Sequence, residues 1–186
     1  MNIMVVGVGG QGTLLTSRII GKTALAAGFD VKLSEVHGMA QRGGSVVTFV
    51  RYGDKVYEPV CEEGTVDVLI SFERLEALRY AHFLKKDGVM IVNDTRIDPM
   101  TVVIGAAKYP EGILEGLSKN HTLYTINGGE IAKSLGNSKV LNSVVLGLAA
   151  KHIGFTKEEW VRVLQSTVPP KTIDINTKAF EAGYEA

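Results

Sequence analysis

Hydrophobic positions fall into short continuous runs that alternate with longer amphipathic stretches. Ile3–Val6 is apolar throughout and closes on Gly7. A run of that length without alternation fits a strand covered on both faces. Gln11–Ala27 follows with helix formers and places Leu15, Ile19 and Ala26 on one stripe, and Gly28 is a helix stop. Phe29–Val36 reads as a second strand, and His37–Gly44, with three glycines, as a loop. Ser45–Arg51 is rich in β-branched residues, Tyr52-Gly53-Asp54 has turn chemistry, and Lys55–Val60 is expected to return as its hairpin partner.

The alternation continues to the end of the chain. Val66–Ser71 is expected as a strand and Phe72–Phe83 as its helix, followed by a strand at Gly88–Val92 and a short one at Thr101–Ile104. Ile113–Ser118 reads as a short helix, His121–Ile126 as a strand, Gly128–Leu135 as a helix and Val140–Ile153 as an apolar helix. Thr156, with Glu159 three residues on, has the form of a capping box opening a helix that runs to about Ser166. Pro169-Pro170 stops it, and the polar tail from Lys171 is expected to lie across the surface. Strand–helix alternation predicts an α/β fold: one Rossmann-like domain over 1–186, with a largely parallel central sheet, flanking helices and an inserted hairpin at 45–60.

Two glycine clusters stand out against this frame. Gly7, Gly9 and Gly12 match G-x-G-x-x-G between a strand and a helix, with Gly10 and Gln11 completing the loop. That context matters because glycines let the backbone approach a phosphate, and the helix start supplies free N–H groups. Glu35, near the end of the second strand, stands where a ribose-binding acid is expected. The second cluster, His37-Gly38-Met39-Ala40-Gln41-Arg42-Gly43-Gly44, is expected on the same sheet edge. Arg42 offers a bidentate donor for phosphate or carboxylate, and His37, Met39, Gln41, Gly43 and Gly44 complete the candidate binding set. The plainer alternatives are glycines that only permit tight packing, and an arginine paired within its own chain.

Met4–Gly12 together with Ser34–Val46 closely resembles the gamma subunits or domains of 2-oxoacid:ferredoxin oxidoreductases. The R-G-G element at Arg42–Gly44 resembles the wider family, and the form E-V-H-G-M-A-Q-R-G-G at Glu35–Gly44 resembles its indolepyruvate branch. The likeness covers the whole chain, including Asn142–Gly147. It implies oxidative decarboxylation of an aryl 2-oxoacid to an acyl-CoA, with electrons passing to ferredoxin. It also implies a large partner subunit that carries thiamine diphosphate, magnesium and iron–sulfur clusters, with coenzyme A a candidate ligand at the interface. Relatives acting on 2-oxoglutarate, pyruvate or branched-chain 2-oxoacids remain alternatives, as does a stand-alone nucleotide-binding module.

Composition agrees with that division of labour. The 186 residues hold one cysteine, Cys61, which cannot form an internal disulfide or ligate a cluster alone. No C-x-x-C occurs, and Lys86-Asp87-Gly88 does not match a thiamine-diphosphate magnesium motif. Twenty basic residues balance twenty acidic ones, which argues against a nucleic-acid binder. His37, His82, His121 and His152 lack metal-like spacing, and no metal site or catalytic group is expected in this chain. Ser45 and Ser71 have no base near them in sequence. Glu62 and Glu63 beside Cys61 are expected to disfavour its thiolate, and Glu73–Arg79 reads as a solvated charged face. The N-terminus has no signal-peptide pattern and no apolar run is long enough for a membrane span, so the expected compartment is the cytoplasm. A surface shaped for a protein partner exposes apolar residues, so the isolated chain is expected to form a homodimer.

Overall fold

The computed structural model describes residues 1–38 and 44–186. Six strands form one sheet: β1 (Asn2–Val8), β2 (Asp30–His37), β3 (Ser45–Gly53), β4 (Val66–Ser71), β5 (Leu84–Asn93) and β6 (Thr122–Ile126). Their spatial order is β2-β3-β1-β4-β5-β6. The β1–β4, β4–β5 and β5–β6 pairs are parallel. Strand β3 runs antiparallel to both of its neighbours, β1 and β2. Strands β1 and β2 therefore point the same way, and both glycine clusters start at one carboxyl edge.

Each apolar run is continuous because both of its faces are covered. Ile3 and Val5 join a core with Ile19, Ile20, Val144, Trp160 and Phe180. Met4 and Val6 join a second core with Phe49, Leu69, Ala77, Met90 and Leu117. Helices α1 (Thr13–Ala26), α5 (Gly128–Ser134), α6 (Leu141–Ala150), α7 (Lys157–Thr167) and α8 (Ile173–Glu185) supply the first face. Helices α2 (Arg74–Tyr80) and α4 (Ile113–Ser118) supply the second. The capping box of α7 is present as expected: the Glu159 backbone N–H bonds the Thr156 side chain, and the Glu159 carboxylate bonds the Thr156 N–H.

Several expectations need correction. The inserted hairpin is β2–β3, spanning 30–53, rather than 45–60. Lys55–Val60 forms no strand; its carbonyls at Glu58 and Val60 bond the Arg51 guanidinium, and the Val56 N–H bonds Asp30. Thr101–Ile104 falls in a helical turn, α3 (Met100–Val103), despite its β-branched residues. On α1, Ile19 is buried and Leu15 packs against the core as expected, but Ala26 is exposed, and Thr13, Thr16, Ser17, Ile20 and Thr23 join the buried face. Small hydroxylated side chains let α1 lie close on β3, which a search for large apolar residues overlooks.

The largest departure is the C-terminal tail, which is helix α8 packed into the core. Asn176, Ala179, Phe180 and Gly183 are buried on it. A methyl group at Gly183 would stand 1.8 Å from the Val144 carbonyl oxygen, and one at Gly147 would stand 2.1 Å from that of Phe180. Backbone meets backbone here, so only glycine fits. Every residue of α6 from Asn142 to Ala150 is buried. Ser143 donates to Asn176 at 2.7 Å, closing the one polar pair in the contact that the apolar pattern does not predict.

Candidate functional site

The loop after β1 is built from conformations that its sequence requires. Gly10 and Gly12 adopt φ of +99° and +85°, where other residues are strained. Gly12 is the N-cap of α1 and offers no side-chain acceptor to the N–H groups of its first turn. A Cβ at Gly7 would meet the Gln11 Oε1, Phe72 and Thr13 atoms at 2.9–3.0 Å, and one at Gly12 would press on Asn142 at 3.1 Å. The Gln11 side chain ties the loop down: its Oε1 accepts from the Val8 N–H at 2.7 Å, and its Nε2 donates to the Phe72 carbonyl at 2.9 Å. Gln11 thus uses its amide to shape the loop.

The two glycine clusters meet. The Gly9 N–H donates to the Gly44 carbonyl at 2.9 Å, and the Gly38 N–H donates to the Ser45 carbonyl at 2.9 Å. Cross-strand register puts Glu35 opposite Thr48 and His37 opposite Val46, on the face toward α1. Glu35 and His37 contact each other through Oε1 and Nε2. They line a cleft of 370 Å³ with Gly9, Gly10, Gly12, Thr13, Leu14 and Val46. The Thr48 and Thr16 hydroxyls are buried without a hydrogen-bond partner. This cleft combines an uncapped helix start, a carboxylate and an imidazole, which suits a polar ligand bearing an anion and hydroxyl groups. Met39, Gln41, Arg42 and Gly43 lie outside the described residues, so the geometry bears on Gly7, Gly9, Gly10, Gln11, Gly12, His37 and Gly44 of the candidate set.

The rest of the carboxyl edge is stitched by side chains that sequence reasoning missed. Asn93 is fully buried; its Nδ2 donates to the Phe72 carbonyl and to Thr95 Oγ1, and its Oδ1 accepts from the Gly128 N–H. It thereby joins the ends of β4 and β5 to the start of α5. Asn142 packs on Gly12 from α6. A lone amide closing or interrupting an apolar run was the available signal in both cases. A neighbouring cleft of 340 Å³ is lined by Arg74, Asp94, Arg96, Tyr109 and Glu115. Its guanidiniums pair with Asp94 and Asp98, so their charge is locally balanced.

The 73–79 stretch is not simply solvated. Glu73 and Glu76 are 1% and 4% exposed. Glu73 caps α2 by accepting from the Glu76 N–H, and its other oxygen accepts from Tyr109 Oη at 2.5 Å and the Ile97 N–H at 3.1 Å. Two acids three apart lie on the side turned inward, where the start of β3 and the segment after β5 supply donors. Burial pushes the Glu76 carboxyl above its ordinary value, with Ser45 and Arg79 opposing and Glu73 reinforcing the shift. Cys61 is buried, and burial is the main cause that raises its thiol above the ordinary value. The expected unreactive thiol holds, through desolvation rather than Glu62 and Glu63. Among the described residues no cluster of three or more His, Cys, Asp or Glu could hold a metal, and no helix is long and apolar enough to cross a membrane.

The fold and its edge define an α/β domain with one six-stranded sheet, in which an antiparallel hairpin brings the end of a second glycine cluster against the first. The model for the pyruvate ferredoxin/flavodoxin oxidoreductase family matches residues 2–186, and the chain belongs to that family. It is 41% identical to the indolepyruvate oxidoreductase subunit IorB of Thermococcus kodakarensis, over all of this chain and 95% of that one. It is 44% identical to the IorB subunit of Archaeoglobus fulgidus, over 99% of this chain and 94% of that one. Among solved structures it resembles the gamma subunit of a keto/oxoacid ferredoxin oxidoreductase from Geobacter sulfurreducens, with TM-score 0.74 and 27% identity, covering 99% of this chain and 96% of that one. The relatives are subunits of oxidoreductases of the 2-oxoacid:ferredoxin class.

Proposed function

We propose that this chain is the small subunit of an indolepyruvate-type 2-oxoacid:ferredoxin oxidoreductase, and that it does not turn over alone. The observation that carries this reading is the full-length likeness to IorB subunits, which exceeds the 28% identity to a pyruvate synthase subunit PorC from Methanothermobacter marburgensis. In this reading a large partner subunit holds thiamine diphosphate, magnesium and the iron–sulfur clusters. The thiamine ring, when bound there, supplies the electron sink for decarboxylation. This chain's part is binding and orientation. The cleft between Gly10, Thr13, Glu35 and His37 receives the anionic, hydroxyl-bearing portion of coenzyme A at the subunit interface. The uncapped α1 start and Arg42 meet its phosphates.

Co-expression with the large subunit, followed by ferredoxin reduction over a panel of 2-oxoacids, tests the reading. Aryl 2-oxoacids are expected to give the highest kcat/KM, and the isolated chain none. Arg42→Ala in the complex is expected to raise the KM for coenzyme A about tenfold, the loss of one charge-assisted contact. Turnover by the chain alone, or tight NAD(P) binding to it, overturns the reading. An Arg42→Ala complex with unchanged KM removes the coenzyme A assignment.

A further inference from the structure

Ser45 is a junction. Its carbonyl accepts from the Gly38 N–H, and the residue before it, Gly44, accepts from the Gly9 N–H. These two bonds fix both ends of the glycine-rich connection between β2 and β3, and attach it to the loop after β1. The Ser45 hydroxyl points to the other face of the sheet, where it donates to Glu76 Oε2 at 2.5 Å and stands 3.2 Å from Tyr80 Oη. Glu76 is held in turn by Arg79, whose Nη1 lies 3.3 Å from its second oxygen. Nothing in helix capping requires Glu76 to be buried, because Glu73 performs that task for α2. Placing a carboxylate there costs desolvation that a smaller apolar residue would avoid. Its side-chain bonds are spent on Ser45 and Arg79.

We infer that Glu76 is a positioning residue: through the Ser45 hydroxyl it holds Gly38 and Gly44, the two ends of the β2–β3 connection, with Gly44 against the glycine loop at Gly9. The link crosses the sheet, from α2 on one face to the cleft on the other. A carboxylate acting on a serine here is no hydrolase pair, since no imidazole stands between them and the hydroxyl donates into a closed contact. The kinetic arm of the test rests on the coenzyme A reading above, and the exchange arm does not.

Hydrogen exchange of the full chain, followed by NMR, reads the link directly. In Ser45→Ala and in Glu76→Ala, the Gly9 and Gly38 amides are expected to exchange about tenfold faster, while α6 and α8 amides keep their wild-type protection. The double variant is expected to be no worse than either single, because both cut one link. Glu76→Gln keeps an acceptor for Ser45 and is expected to stay within about threefold of wild type. In the complex, Ser45→Ala and Glu76→Ala are expected to raise the KM for coenzyme A with kcat within about twofold. Unchanged exchange at Gly9 and Gly38, uniform loosening of the whole chain, or additive effects overturn the inference. If Arg42→Ala raises KM while the two truncations do not, the functional half of the inference falls. If Arg42→Ala has no effect either, the coenzyme A reading fails, and the exchange result alone decides the positioning role.

Discussion

Gly183→Ala adds one methyl group where two helix backbones touch. That carbon would stand 1.8 Å from the Val144 carbonyl oxygen and 2.7 Å from its carbon. A comfortable carbon–oxygen approach is about 3.3 Å, so α8 must withdraw by roughly 1.5 Å. Withdrawal loosens the packing of Ala179 and Phe180, both fully buried, and stretches the 2.7 Å bond between Ser143 and Asn176. Overpacking of this kind costs about 1–3 kcal/mol, and a lengthened buried bond adds about 1 kcal/mol. The gain in helix propensity from glycine to alanine returns only about 1 kcal/mol. A net loss of about 1–3 kcal/mol lowers the Tm by roughly 2–12 °C for a chain of this size. Differential scanning calorimetry on the full chain measures it. Gly116→Ala in α4 is the control, since its Cβ meets nothing within 4 Å. It is expected to leave the Tm unchanged or raise it. A Gly183→Ala chain as stable as wild type would refute the close-contact argument.

Gln11→Ala leaves the Val8 N–H without its acceptor and is expected to cost about 2 kcal/mol, seen as a Tm loss of about 4–8 °C; an unchanged Tm means that the amide does not close the loop. Cys61 is expected to react with thiol reagents about a hundredfold more slowly in the native chain than in denaturant, because it must first be exposed; equal rates would contradict its burial. Asp67 is desolvated, but its bonds from Lys85 and the Asn2 N–H outweigh that and hold its carboxyl below 3.8. A lowered folded value means stability that is present above 3.8 and lost as pH falls through the folded value. The Tm gap between wild type and Asp67→Asn is therefore expected to be largest near neutral pH and to close in acid; a gap that does not change with pH counts against the pairing.

The order of strands and helices was readable because its physical cause is local. Val66–Ser71 is apolar at Val66, Val68, Leu69 and Ile70, and it forms β4 over those same residues. The Thr156/Glu159 spacing produced its capping box for the same reason. Pairing partners were not readable. Ser45–Gly53 looks as ready to fold back on 55–60 as on 30–37, and the choice rests on β2 entering from across α1. The tail misled because α8 buries a narrow stripe of Asn176, Ala179, Phe180 and Gly183, which looks polar in one dimension. The conformational demand of the first glycine cluster was legible in sequence, since the positive φ at Gly10 and Gly12 and the close approach at Gly7 are what glycine alone supplies. Glu76 did not, because its partner Ser45 lies 31 positions away and only the sheet brings them together.

The seating of α8 on α6 also governs how the chain is made. Helix α6 leaves the ribosome with all of Asn142–Ala150 destined for burial, but the helix that packs on it, α8, follows about 30 residues later. At about 5–20 residues per second, an interval of roughly 30 residues keeps that apolar surface bare for a few seconds in every nascent chain. A stop codon anywhere before Phe180 would make the exposure permanent. The seating of α8 on α6 is therefore a vectorial weak point, where chaperone capture or degradation of incomplete chains has its natural target.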